Sequence, residues 1–492
     1  MKNRNLLFDP YWEGKDVGKA MPDSPHAVSV SLPKWQDVID YEEKIPAFHK
    51  NLKAIYPRFG LNPLVEEIAI KALKKHSLVG YSAWPYPNIE SAQQAKRYCQ
   101  SSTHNSSVFT SEILGLHCLL ACPKTTKLAK QFWQHTGIGA SSRLAAIALQ
   151  REPLVCIETA NNSRKILIER LARIYSCETK NIELHPSGMA SLNRALQLLK
   201  MIHPSGKTLQ VGFPYVDVLK LPQAIFNGGD LILNSDQKSL INQLKVNKPS
   251  AVIVELPSNP MLQCIELQKI SELAHEHGVL VIADDTIGSS INIDALPYSD
   301  LVFSSLTKSF SGRGDILAGS LVISPYSPWE KKLSLALRSN SFSNLADPDV
   351  IALEEASRDV NQRLKQLNQT CLSLKHHLEK HKAVANVLHP EKCPNFQSLM
   401  RPEAGYGCLL SFELKGELKQ VQNFYDSIKV CKGPSLGNNF TLLCPYVLLA
   451  HYEELDWAQK CGVPPYLLRV SVGLEEPEDL WSRFKIALDT SQ

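Results

Sequence analysis

The chain has 492 residues, 44% hydrophobic and 21% charged, which is enough apolar material for two or three domains with well-buried cores. Its 53 basic residues nearly balance its 49 acidic ones, and without a long basic run this excludes the charge footprint of a nucleic-acid binder. No stretch approaches the roughly 18 apolar residues of a membrane span. The opening MKNRNLLFDPYWEGKD also lacks an apolar signal core, so a soluble cytoplasmic protein with small-molecule partners is expected, with neither nucleic acid nor membrane among them.

Residues 1–150 alternate proline-rich joints with stretches such as PLVEEIAIKALKKH, whose apolar residues recur at three- and four-residue steps, and they read as a helical accessory extension. Within it, HCLLAC brings His117, Cys118 and Cys122 together. Its apolar neighbours, with no second cysteine pair at zinc spacing, favour a buried helix over a metal site. The twelve cysteines include no Cys-x-x-Cys pair, which suits reduced thiols. Residues 151–350 read as the large domain. Here TLQVGF, AVIVEL, VLVIADD, DLVFSSL and GSLVIS alternate with SLINQLKV and QKISELAHEHG, predicting a mostly parallel sheet with helices on both faces. Gly278 stops the second of those helices, leaving His275 and His277 as surface residues. Residues 351–492 carry long helices followed by YGCLLSFEL and YLLRVSVGLE, a smaller α+β domain.

The chemistry gathers where strands end. VLVIADDT closes a buried run with Asp284 and Asp285, and ligands of open α/β sheets bind outside the carboxyl ends of strands. Adjacent strand residues point to opposite faces, so only one of the two acids can meet a ligand. An isolated acid there would be a cap, but Lys308 ends a later run, DLVFSSLTK, and places an amine at the same rim. An acid for a protonated ring nitrogen and an amine able to form a Schiff base are the two protein groups that pyridoxal 5'-phosphate (PLP) requires. HPSGMASLNRALQLLKMI sets Ser187 and Gly188 at the start of a strong helix, where free N–H groups attract an anion. Ser305 and Thr307 add hydroxyls beside the lysine, and Tyr215, just after another strand, is placed to stack on a flat ring.

Six stretches in order, PSGMAS, ELPSNPML, IADDTIGSS, SSLTKSFSGRGDILAGS, KGPSLGNNFTLLCP and LLRVSVGLEEPEDL, resemble the Cys/Met-metabolism group of PLP-dependent enzymes. HAVSVSLPKWQDVIDYEE and YPRFG resemble its long fungal cystathionine γ-synthases. The resemblance implies a fold-type-I, aminotransferase-like α/β domain and a homodimer or homotetramer with sites at the subunit interface. It implies Lys308 as the lysine that tethers the cofactor, Asp284 at the pyridine nitrogen and Tyr215 stacked on the ring. Ser187, Gly188, Met189, Ser305 and Thr307 would hold the phosphate. Asn259 would contact cofactor or substrate, and Arg469 with Ser435 would bind the substrate's α-carboxylate. The implied reaction is γ-replacement on an O-acylated homoserine by cysteine, giving cystathionine. A C–S lyase would share every cofactor residue, and a catalytically silent PLP-binding regulatory protein is the alternative of another class.

The group's phosphate-binding Tyr-x-Arg, supplied by the neighbouring subunit and followed by Asn-Pro-Thr, finds its local match in CIETANNSR, where Cys156 and Glu158 stand in the Tyr and Arg positions. A glutamate cannot bind a phosphate dianion. Arg143, in GIGASSR, is therefore expected to replace the missing cation across a dimer interface, with Arg164 as the competing candidate.

Overall fold

A computed structural model describes residues 4–57, 59–102, 107–233, 237–339 and 342–491. Three sheets organise it. The region expected to be helical carries α1 (Pro63–Lys75), α2 (Ile89–Ser102), α3 (Thr126–Thr136) and α4 (Ser142–Ala148). It also carries an antiparallel sheet of β1 (Ser82–Tyr86), β2 (Val108–Ile113) and β3 (Leu116–Ala121), with β3 in the middle. HCLLAC is therefore a strand and not the expected helix: a short, continuously apolar run has no period of its own, and pairing on both edges decided it. No group of three or more metal-binding side chains occurs among the described residues.

The large domain opens with α5 (Ile157–Tyr175) and β4 (Ile182–His185). It continues through α6 (Gly188–Ile202), β5 (Thr208–Val211), α7 (Val216–Ile225) and β6 (Gly229–Ile232). The remaining strands are β7 (Ala251–Glu255), β8 (Leu280–Asp284), β9 (Leu301–Ser304) and β10 (Gly319–Ile323). Their order is β4-β10-β9-β8-β7-β5-β6, with β5 to β9 parallel and β10 antiparallel to both its neighbours. The sheet is buried on both faces, as its runs of valine and isoleucine require. Val252 and Val254 pack on the side of α5, and Ala251 and Ile253 on the side of α6 and α7. All five parallel strands end at one rim, where the connecting loops are free to carry function.

The small domain holds β11 (Val384–Leu388), β12 (Leu409–Leu414), β13 (Cys431–Lys432), β14 (Leu442–Pro445) and β15 (Leu468–Ser471), ordered β11-β12-β15-β14-β13. Residues 4–57 touch the accessory region through His26, whose Nδ1 lies 3.0 Å from Ser142 Oγ at the start of α4. They lie along the small domain, where Leu32 donates its N–H to the Lys432 carbonyl at 2.8 Å, and Val30, Trp35 and Tyr41 share a core with Phe412, Phe424 and Phe484. This arm ends beside the rim of the large sheet. Among the described residues, no helix is long and apolar enough to cross a membrane.

Candidate active site

The carboxyl ends of the parallel strands, the start of α6, the arm and the loop after α3 enclose a cavity of about 210 Å³. Lys308 lies in the tight turn after β9, where its N–H donates to the Ser305 carbonyl at 3.2 Å and its carbonyl accepts from Gly312 at 2.9 Å. The side chain is 9% exposed. Its Nζ donates to the Tyr56 hydroxyl at 3.1 Å and to Ser435 Oγ at 3.3 Å. No carboxylate among the described residues pairs with it, so a buried amine is held by hydroxyls alone. Gly437, at φ +75°, lets the Ser435 loop close over this turn, since a Cβ there would lie 2.4 Å from Ser309 N.

Asp284 ends β8 and accepts the Thr286 N–H on Oδ1 at 2.9 Å. Burial pushes its carboxyl up to about 6. Asp285 points to the other face, where Tyr175 donates its hydroxyl to Oδ2 at 2.8 Å, and burial pushes it up to about 7. The pleat thus separates the two acids as expected, with only Asp284 lining the cavity. Beside Asp284 in register stands Glu255, the last residue of β7. Its Oε2 accepts the N–H groups of Tyr215 and Asn259, each at 3.2 Å. Burial, and then the neighbouring Asp284, hold this carboxyl well above the usual range. Glu255 ends the run AVIVEL, in the same strand-terminal position as Asp284, and that position was the signal available for it in the sequence.

At the opposite end, Ser187 caps α6. Its Oγ accepts from Ala190 N at 3.1 Å and donates to the Gly137 carbonyl at 2.9 Å, so it braces the helix start. The N–H groups of Gly188 and Met189 have no acceptor among the described residues. The approach is close, since a Cβ on Gly188 would fall 2.8 Å from Ser305 Cβ. Free amides at the amino end of a fifteen-residue helix, beside the Ser305 hydroxyl, fit a phosphate. Thr307 also lines the cavity, but its hydroxyl donates to the Ala318 carbonyl at 3.2 Å and must exchange that bond to reach a ligand. Trp133, Gln134 and the loop from Gly137 to Ser141 bring the accessory region into the wall. His135 Nδ1 lies 3.0 Å from Asp217 Oδ1 and fastens that region to α7.

Arg469, on β15, donates from Nη1 to Asn259 Oδ1 at 3.1 Å and from Nη2 to the Ser435 carbonyl at 2.8 Å. The guanidinium lies 5.1 Å from the centre of the Tyr446 ring, and the Tyr446 hydroxyl donates to the Asn259 carbonyl at 3.2 Å. Two N–H groups are thereby used and three remain for a carboxylate. Lys308, Tyr215, Asp284, Ser187, Gly188, Met189, Asn259, Ser305, Thr307, Ser435 and Arg469 all line this one cavity.

Arg143 does not. Its guanidinium turns inward, donating to the Asp315 carbonyl at 2.6 Å and lying 3.5 Å from the carboxylates of Asp315 and Asp349. This corrects its expected role, because a buried guanidinium held by two acids is not free to bind phosphate. Arg164 is likewise engaged, with Asp347 and the Leu345 carbonyl. Cys156 and Glu158 are exposed at the start of α5. The Tyr-x-Arg sought there is spelled by Tyr56, Pro57 and Arg58, with Asn62 and Pro63 following. The accessory sheet domain had separated it from the rest of the motif set. Arg58 lies outside the described residues. Tyr56 reaches the Lys308 of its own chain. Although burial raises its phenol, the Lys308 ammonium and hydrogen bonds with Lys308 and Tyr215 bring it below the ordinary value.

Comparisons with known proteins bear on the family and the fold. The family described as Cys/Met metabolism PLP-dependent enzyme matches residues 143–489, and the fungal trans-sulfuration enzyme N-terminal domain matches residues 64–141. The cystathionine gamma-synthase of Neurospora crassa is 28% identical, covering 97% of this chain and 98% of its own. An L-2-amino-4-chloropent-4-enoate dechlorinase/desaturase of Streptantibioticus cattleyicolor is 29% identical, covering 96% and 98%. The structure of cystathionine gamma synthase from Xanthomonas oryzae in complex with cystathionine shares the fold at a TM-score of 0.60 and 24% identity, covering 69% of this chain and 89% of that one.

Proposed function

The chain belongs to the Cys/Met-metabolism family of PLP-dependent enzymes, and from that premise we propose that it is a transferase catalysing γ-replacement on an O-acylated homoserine, with cysteine as the thiol and cystathionine as the product. The observation that carries this reading is the Lys308 amine, buried without a carboxylate partner among the described residues and held between Tyr56 and Ser435, in a cavity that Arg469 and the start of α6 also line.

The cofactor, when bound, supplies an electron sink that acidifies the protons on Cα and Cβ of an attached amino acid. Lys308 is the residue to tether it, Asp284 to face its ring nitrogen, Tyr215 to stack on it, and Gly188, Met189 and Ser305 to hold its phosphate. Arg469 binds the α-carboxylate with its remaining donors and fixes the Cα–H bond against the Lys308 side of the cavity. The Lys308 amine takes the proton from Cα, hands it on, and as a free amine again takes one from Cβ. The γ C–O bond breaks and the acyloxy group leaves as a carboxylate with the electron pair of that bond. The cysteine thiol gives up its proton, which balances the departing carboxylate, and its sulfur forms the γ C–S bond, while Lys308 returns protons to Cβ and Cα. Tyr56 and Ser435 keep the amine within reach of both carbons.

The spelling Tyr56-Pro57-Arg58 supports the enzyme reading over a silent binding protein, whose sequence argument was a missing Tyr-x-Arg. The test is product identification by mass spectrometry after incubating the holoprotein with acetyl-, succinyl- or phosphohomoserine, each with cysteine or sulfide. Cystathionine from at least one ester with cysteine is expected. Release of 2-oxobutanoate at a rate indifferent to cysteine would make the protein a lyase.

A further inference from the structure

We propose that Glu255 is a positioning residue for the cofactor slot, its carboxyl tying together the two loops that carry Tyr215 and Asn259. These loops follow different strands: Tyr215 stands at the head of α7 after β5, and Asn259 lies in the turn after β7. The strands pair as far as Val211 and Val254, and beyond that point no backbone hydrogen bond joins the two loops among the described residues. A single oxygen, Glu255 Oε2, accepts both N–H groups at 3.2 Å. Each of those residues then presents a different surface to the cavity, the Tyr215 ring and the Asn259 amide. Asn259 passes the constraint on, because its Oδ1 accepts from Arg469. One carboxyl therefore sets the ring wall and, one bond further, the carboxylate-binding guanidinium.

Its neighbour fixes its charge state. Glu255 and Asp284 face each other in a parallel ladder, both buried, and two adjacent buried carboxyls do not both ionise. Asp284 is the one placed for a cationic ring nitrogen, which assigns the neutral form to Glu255. In that form it still offers acceptor lone pairs to both amides while adding no second negative charge beneath the ring.

The test needs no substrate, so it is independent of the reaction proposed above: apoprotein is titrated with PLP and followed by visible absorbance, with thermal unfolding as the check on folding. E255A is expected to raise the PLP dissociation constant about tenfold and to shift or broaden the visible band. E255Q, which keeps an acceptor oxygen and mimics the neutral acid, is expected to stay within about threefold of the parent and to keep its band. Should E255A fail to fold, E255D retracts the carboxyl by one methylene and is expected to weaken PLP binding in the same direction, again by more than threefold. A rise below threefold in the folded truncated variant overturns the proposal, as does a loss above threefold in E255Q, which would mean that charge and not the acceptor is what Glu255 supplies.

Discussion

Replacing Arg469 by lysine separates charge from geometry at the carboxylate end of the cavity. The guanidinium spends one Nη1 N–H on Asn259 and one Nη2 N–H on the Ser435 carbonyl, leaving three donors in a fixed plane for the substrate. A lysine has three donors on a single nitrogen and cannot keep both protein bonds while offering two parallel ones. At least one charge-assisted hydrogen bond to the α-carboxylate is lost, worth about 1.5–3 kcal/mol. At roughly tenfold per 1.4 kcal/mol this predicts a rise in KM for the amino acid of about 10- to 150-fold. PLP content should not change, because Arg469 sits away from the phosphate end. Steady-state kinetics with the acylated homoserine varied, together with the visible spectrum, check both halves. Unchanged KM would remove Arg469 from the carboxylate site, and lost cofactor would show that its bonds to Asn259 and Ser435 matter more than its free donors.

Lys308→Ala should abolish the borohydride-trappable linkage to PLP and nearly all turnover, and a trapped linkage at another lysine would overturn the assignment. Arg143→Ala leaves Asp349 buried without its cation and Asp315 with Arg313 alone, which predicts a loss of about 3 kcal/mol in denaturant unfolding. The folded variant should retain PLP on dialysis, and release of PLP would return Arg143 to the phosphate. Asp285 gives a pH signature. Burial holds its folded value at about 7, above the ordinary aspartate value of 3.8, so the native state binds the extra proton between them. Its contribution to stability is full below the lower value and is lost as pH rises through the upper one. Asp285→Asn in the apoprotein should flatten the fall in melting temperature across that window, and an unaltered slope would assign the proton to another group.

The rim chemistry was legible because each residue closes a recognisable run: VLVIADD delivers Asp284 and DLVFSSLTK delivers Lys308 from strands whose apolar content demanded burial on both faces. Arg469 instead lies near the start of its strand, in YLLRVSVG, and only the family resemblance singled it out. What escaped the sequence depended on partners far along the chain. Glu255 ends AVIVEL as Asp284 ends its own strand, but only the register of β7 against β8 puts the two acids side by side. Tyr56 lies in a proline-rich joint with no period to read, and an inserted sheet domain displaced it from the spacing its motif normally keeps. HCLLAC became a strand because two flanking strands paired with it. Arg143 was misplaced because glycines and hydroxyls around it suggested a ligand, whereas the acids that hold it lie at Asp315 and Asp349, more than 170 residues away.

The central claim, that Lys308 moves protons at Cα and Cβ to carry out a γ-replacement, is tested most directly by running the reaction with an acylated homoserine and cysteine in deuterium oxide and mapping deuterium in the product by NMR. Cystathionine with deuterium at both Cα and Cβ of the homoserine-derived half, and none at its Cγ, is the predicted result. Cystathionine undeuterated at Cβ would mean direct displacement at Cγ without the lysine's second proton transfer, and would contradict the account.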